Sequence, residues 1–298
     1  MPITIAPATT DADRAAVIDI AHDANASTTL PLWYAVRRQA SPIRNAATWW
    51  LLRDGGEAVA SCLQYDLAFT TADGEHVGGY GFGSVATRRA HTRRGLASRL
   101  CGEVADRAVA RGARVGLLFS AIPPRLYERL GYVVTPAWQL RCGAPAALAA
   151  SGPQLALRAI DPWRDAEALI GLYHRHHGGT LHLRRSVATW PAHIERNDRD
   201  GFVGWGTPLR GSMRLHAEDG ELDVIELICP DPADAAPALR AAARIAASLR
   251  DDYTLVGWHP PVEELAEHFV DEGRARTLPM VRGDVALAGA QFWGSDYF

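Results

Sequence analysis

Apolar positions recur at helical spacing over Thr10–Asp23, where Ala15, Val17, Ile18, Ile20 and Ala21 fall on one side and Thr10 or Asp11 can cap the start. Trp49–Leu52 and Glu57–Asp66 read as strands, and Asp54-Gly55-Gly56 between them is a hairpin signal. Gly78–Thr87 alternates Tyr80, Phe82 and Ser84 with glycines, as a strand does. Gly95–Arg111 is strongly helical, Val115–Ser120 is a short apolar strand, and Pro124–Leu130 is a short helix with proline in its first turn. Tyr132–Val134 starts another strand. The order αββ and then β-α-β-α-β predicts an α/β (α+β) fold, a mixed central sheet with crossover helices.

A similar order returns later. Asp161–His174 is helical, Thr207–Leu215 and Glu221–Ile228 form a hairpin through Glu218-Asp219-Gly220, Ala235–Leu249 is a helix and Tyr253–Trp258 a strand. Between the halves, residues 143–153 turn to small residues bounded by proline, which suits a linker or short crossing segment. This predicts two tandem domains, 1–145 and 146–298, the second a degenerate copy of the first.

Composition narrows the function classes. The formal charge of −3 carries no basic footprint for nucleic acid. No apolar run has the length of a membrane span, and the N-terminus lacks a secretory pattern, so a cytoplasmic protein is expected. Cys62, Cys101, Cys142 and Cys229 are scattered without metal-ligand spacing and read as reduced thiols. His174, His176 and His177 have no partner carboxylate or cysteine at ligand spacing and read as a solvated helix end, so no metal is expected. The chain has no lysine, and all 31 of its Lys and Arg positions are arginine. Every cationic phosphate contact must therefore come from arginine or histidine, and arginine can make it bidentate.

The chemistry concentrates between the third strand and the next helix. Val85-Ala86-Thr87 ends a strand, an arginine-rich loop reaches Arg93-Arg94, and Gly95-Leu96-Ala97-Ser98 opens the helix. Exposed N–H groups at a helix start bind phosphate, and the helix dipole adds to that. Gly95 removes a Cβ from the approach, and Arg93 and Arg94 can add charge-assisted bonds to a diphosphate. A solvated arginine face at a loose helix start would have the same composition. The loop is no Walker motif, because no Gly-Lys-Ser/Thr occurs.

The residues beyond this helix give the loop a context. Leu117-Leu118-Phe119-Ser120 precedes Leu126-Tyr127-Glu128-Arg129-Leu130-Gly131-Tyr132. With Thr92-Arg93-Arg94-Gly95-Leu96-Ala97, this resembles the GNAT acetyltransferase superfamily, whose helix start usually reads Gln/Arg-x-x-Gly-x-Gly/Ala. Thr92 departs from the first position. The resemblance is specific over 80–132 and extends as a fold over roughly 1–140. The tandem mycobacterial enhanced-intracellular-survival acetyltransferases and the fungal lysine N6-acetyltransferases of lysine degradation look nearest.

The resemblance implies acetyl-CoA as co-substrate and a small-molecule primary amine (an amino acid, a peptide amine or an amine-bearing antibiotic) as acceptor. It implies that Arg93–Ser98 holds the diphosphate, that Val85, Ala86 and Thr87 pair with the pantetheine, and that an N–H at Val85 or Ala86 faces the thioester oxygen. Ser120 and Ala121 would lie where two strands splay to admit it. Tyr127 would be the general acid for the departing thiolate. Asp66, His76, Glu128 and the terminal carboxylate of Phe298 are candidate bases. Trp33, Tyr34, Trp49 and Trp50 lie where the family builds its acceptor pocket, although such a cluster is more often core. In the second half the corresponding loop reads Cys229-Pro230-Asp231-Pro232-Ala233-Asp234. Proline removes N–H donors and aspartate repels phosphate, so a single cofactor site is expected, with the second domain walling the acceptor pocket. A non-catalytic acyl-CoA-binding module is the alternative, and homo-oligomerisation is possible.

Overall fold

The computed structural model describes residues 2–25, 28–194, 200–250, 252–272 and 277–296. The chain runs β1 (Ile3–Pro7), α1 (Asp11–Ala24), α2 (Pro31–Gln39), α3 (Pro42–Asn45), β2 (Thr48–Asp54), β3 (Glu57–Thr70), β4 (His76–Thr87), α4 (Leu96–Ala110), β5 (Val115–Ser120), α5 (Arg125–Glu128) and β6 (Val133–Val134). It continues through β7 (Leu140–Cys142), α6 (Pro145–Ala150), β8 (Arg158–Ala159), α7 (Ala166–His176), β9 (His182–Leu183), α8 (Trp190–Ile194), β10 (Gly201–Trp205), β11 (Gly211–Glu218) and β12 (Glu221–Ile228). The last elements are α9 (Ala235–Leu249), β13 (Thr254–Gly257), β14 (Val270–Asp271) and β15 (Leu278–Gly283).

Local chemistry sets the early elements. Thr10 and Asp13 form a reciprocal capping box at the start of α1, and Val17, Ile18, Ile20 and Ala21 bury its inner face. Gly55 and Gly56 both take positive φ between β2 and β3, the requirement of a tight two-residue hairpin turn. Asp219 and Gly220 do the same between β11 and β12. In α4 the buried positions Leu96, Leu100, Cys101, Val104, Ala105 and Ala108 form one apolar stripe.

The first sheet has the order β1-β2-β3-β4-β5-β15-β6, with β9 paired to β3. β4 and β5 are parallel and joined by α4, while the other pairs are antiparallel. One face packs against α4 through Trp50, Cys62, Tyr80, Phe82 and Leu118. The other packs against α1 through Trp49, Leu51, Leu63 and Tyr65. Each such large apolar side chain contributes roughly 1.5–3 kcal/mol by leaving water.

The second sheet, β14-β7-β13-β12-β11-β10-β8, repeats the motif: β12 and β13 are parallel and joined by α9. The expected linker is not loose. It contains α6, which buries Leu148 in the second core. The two sheets also do not part at 145/146. β7, before that boundary, belongs to the second sheet, and β15, far beyond it, lies between β5 and β6 of the first. Open edges left by β5 and β13 are each completed by a strand from across the boundary, because an unpaired buried backbone is costly.

Candidate functional site

β4 and β5 run side by side only as far as Phe82 and Leu118. Beyond these residues β4 continues to Thr87 and β5 to Ser120 without pairing to each other. The cause lies in β4. Between Gly83 and Ala86 it carries one residue more than β3 opposite, a bulge in which Ser84 takes φ 49°. On its far edge β5 stays paired, Ser120 opposite Leu278. The result is a notch in the sheet with backbone groups on both walls.

Directly after β4 comes the arginine loop. Arg93 has φ 61° and Gly95 φ 73°, so left-handed residues flank Arg94 ahead of α4. Backbone that alternates in this way points successive N–H groups into one concavity. Among the described residues no side chain caps α4, unlike α1, so none of them takes its first-turn donors. A Cβ added to Gly95 would meet nothing within 4 Å. Uncapped donors, a positive helix end and open space make this cradle suited to an anion such as a diphosphate.

The predicted residues divide by role. Arg93 is exposed beside the loop, whereas Arg94 donates to Asp54 at 2.6 Å and contacts His91 at 2.8 Å. Leu96 and Ala86 turn their side chains into the core, so only their backbone is available. Val85, Thr87, Ala97 and Ser98 are half-buried along the notch and the first turn. Ser120 closes β5 by donating to the Ile122 carbonyl at 2.8 Å, and Ala121 is exposed beyond it. Tyr127 is buried in the α4-side core, its ring edge-on to Tyr132 at 6.1 Å.

A family model described as Acetyltransferase (GNAT) domain matches residues 6–135. This stretch of the chain is similar to a GNAT acetyltransferase domain. The fold likeness extends over nearly the whole protein. A probable N-acyltransferase from Enterococcus faecalis V583 superposes with TM-score 0.72 at 10% identity, covering 95% of this chain and 72% of that one. A GCN5-related N-acetyltransferase from Kribbella flavida gives TM-score 0.71 at 18% identity, covering 95% and 71%. Eis1 from Mycobacterium abscessus gives TM-score 0.64 at 16% identity, covering 95% and 74%. No curated protein matches the chain.

Within the GNAT fold, the candidate bases separate. His76 begins β4 while Val85 lies near its end, roughly 30 Å away at about 3.3 Å per residue, so His76 is remote from the notch. Asp66 is exposed, with Oδ1 3.3 Å from the Gln64 amide, and Glu128 is exposed on α5. Phe298 lies outside the described residues. Trp49 and Trp50 are core, their indole N–H groups bound to the Arg44 carbonyl and the Gln64 side chain. Trp33 instead stands exposed on α2.

The histidines overturn one expectation. His177 is 3% exposed, and His174 and His176 are half-buried, so the end of α7 is not a solvated end. β9 and the chain's terminal segment cover it: His182 Nε2 lies 3.0 Å from His174 Nδ1, and Trp293 reaches His177. Two features carried no readable sequence signal. Arg38 and Arg44 both donate to Ser84 Oγ at 2.9 Å, at the bulge itself. In the second half, Asp234 at the start of α9 accepts from Trp205 at 2.8 Å and pairs with Arg210. The place of an anion there is taken by a carboxylate.

Proposed function

We propose that this protein transfers an acetyl group from acetyl-CoA to the primary amine of a small molecule. The observation that carries the reading is the notch: β4 and β5 part beside an uncapped helix start with left-handed residues ahead of it. Acetyl-CoA supplies the activated acyl group and a thiol leaving group. The N–H groups of the α4 first turn, with Arg93, bind the diphosphate. Val85, Ala86 and Thr87 offer strand-like pairing to the pantetheine arm. A preorganised N–H at Val85 or Ala86 faces developing charge on the thioester oxygen, and one such donor is typically worth roughly 3–4 kcal/mol. Tyr127 Oη holds the proton that the departing sulfur takes.

The second half lacks a cofactor loop and serves as a wall of the acceptor pocket. In support, Trp258 meets Phe119, next to the open end of β5, with ring centroids 6.4 Å apart. The test is thiol release from acetyl-CoA across a panel of primary amines. Binding of acetyl-CoA with no amine raising thiol release above hydrolysis would leave a binding module and end the enzyme reading.

A further inference from the structure

A cavity at the end of β4 remote from the notch is lined by histidine. His76, His174 and His182 share its wall with Thr70, Asp73 and Arg184, around a volume of about 530 Å³. Sequence spacing gives these histidines no ligand motif, because each comes from a different element: His76 opens β4, His174 lies in α7 and His182 in β9.

Backbone carbonyls fix the proton on two of the rings. His174 Nε2 lies 2.8 Å from the Arg185 carbonyl, and His182 Nδ1 lies 2.8 Å from the Thr180 carbonyl. A carbonyl only accepts, so both nitrogens carry hydrogen. In the neutral rings this leaves His174 Nδ1 and His182 Nε2 as bare lone pairs, and these two atoms face each other across 3.0 Å. Lone pairs at that distance repel unless an electropositive atom lies between them. A shared proton would put a charge there. Burial opposes that charge, the cation of Arg185 adds to the opposition, and both rings are held below the ordinary histidine value.

A divalent metal ion meets the same need without charging either ring. Imidazole ligates through a bare nitrogen, and ligating histidines characteristically donate the other ring N–H to a carbonyl or carboxylate, the arrangement present on both rings. A tetrahedral site with metal–nitrogen bonds of about 2.0–2.1 Å has ligand edges of about 3.3 Å, within a few tenths of the spacing here. A third arm is at hand. Thr70 of β3 pairs with His76 on one side and His182 on the other. Directly opposed residues point to one face of a sheet, so the two histidines share a face two strand spacings apart, about 10 Å. Among the described residues no three ligating side chains already stand at coordination distance. His76 is exposed and touches Thr70 Oγ1 at 3.3 Å, a long contact from which its ring can swing.

We propose that His174 and His182, with His76 as the third arm, bind one divalent transition-metal ion of the zinc class, water completing its shell. Imidazole ligands suit zinc, copper and nickel rather than calcium or magnesium. The surrounding charge is mixed: Asp73 and Arg184 line the same cavity, and Arg185 faces Glu226 and Asp296. The ion joins β4 of the first sheet to α7, whose Leu172 and Tyr173 belong to the second core. Its role is that of a clamp between the two halves, independent of the acetyl-transfer reading.

The experiment titrates the full chain, first stripped with a chelator, with Zn²⁺ by calorimetry and with Co²⁺ by its visible absorption. One ion per chain is expected, and Zn²⁺ is expected to raise the melting temperature by mass action. His182→Gln should lower affinity at least about 100-fold, and His76→Gln, an exposed change, at least about 10-fold. His268→Gln, outside the cavity, should leave affinity unchanged. The absence of saturable binding by the wild-type chain would overturn the inference. So would an affinity that either cavity variant leaves intact, since the ion would then sit elsewhere. The wild-type titration and His76→Gln decide the matter even if His182→Gln does not fold.

Discussion

Trp293 donates its indole N–H to Nε2 of His177 across 2.8 Å, with both side chains buried. The bond ties the chain's last segment to the end of α7. It also fixes the proton of neutral His177 on Nδ1, because Nε2 accepts.

This bond gives the protein an acid-sensitive seam. Burial, reinforced by His176, His182 and Arg185, holds His177 well below the ordinary histidine value. Burial also lowers His174, His176 and His182, and brings His259 down to about 4. These groups stay neutral in the fold and take up protons on unfolding once pH drops below about 6.5. Their stabilising share is complete above that value and is lost as pH falls toward 4. The melting temperature should therefore decline between pH 7 and pH 5, and a flat profile across that window would contradict the assignment.

The same seam holds a buried charge cluster. Arg185 Nη2 lies 2.6 Å from Glu226 and 2.7 Å from Asp296, with all three side chains almost wholly buried. Burial pushes both carboxyls up, but Arg185 overcomes it at Glu226, which falls to about 2, and not at Asp296, which stays raised. Arg185→Met would leave the ionised Glu226 without its cation, with, among the described residues, only the Ser295 hydroxyl still donating to it. The expected cost is on the order of 3–5 kcal/mol. Chemical denaturation measures it, and a loss below about 1 kcal/mol would mean the pair is replaceable.

How much of this was legible in the sequence depended on the reach of each contact. α4 and β5 could be read from their own spacing, because apolar periodicity reports a buried face directly. The notch was only half legible. The arginine loop could be seen, but the bulge at Ser84 appears only when β3 and β4 are registered. β15 was invisible: its run is short and contains Pro279, and Thr135 pairs with Pro279 from 144 residues away. α2 hid for the opposite reason. Leu32, Trp33 and Val36 are exposed, so no buried stripe marks the helix. The histidines misled because polar residues read as solvated until the strand and tail that cover them are known.

The strand exchange has a direct consequence. β15 fills the first sheet between β5 and β6, pairing Leu278 with Ser120 and Met280 with both Leu118 and Val134. A chain ending at residue 277 would leave the edge of β5 open and Leu117 and Leu118 uncovered. It should fail to give a cooperative thermal transition, although it retains the whole stretch matched as acetyltransferase domain. Native-like melting of that shortened chain would show that β15 is dispensable.

Gly116 is set by crowding on β5. A Cβ there would lie 2.6 Å from Tyr80 Cζ and 2.9 Å from Tyr132 Oη, both on buried rings. Gly116→Ala should cost about 1–3 kcal/mol, the range for overpacking a filled core. Denaturant midpoints with an unchanged slope would measure it.

Gly95 and Tyr127 test two different parts of the acetyl-transfer reading. Gly95→Ala puts a Cβ into open space but onto a φ of 73°, which strains the backbone by about 1–2 kcal/mol. Its effect should fall on acetyl-CoA affinity, raising KM for acetyl-CoA about tenfold, since the cradle and not the proton donor is disturbed. Tyr127→Phe removes one hydroxyl from a ring whose packing against Tyr132 persists. General acid catalysis contributes roughly 100- to 10,000-fold, so kcat should fall by at least about 100-fold while acetyl-CoA affinity stays within about threefold. An unchanged kcat would take Tyr127 out of the acid role. A parallel loss of affinity would recast it as a binding contact.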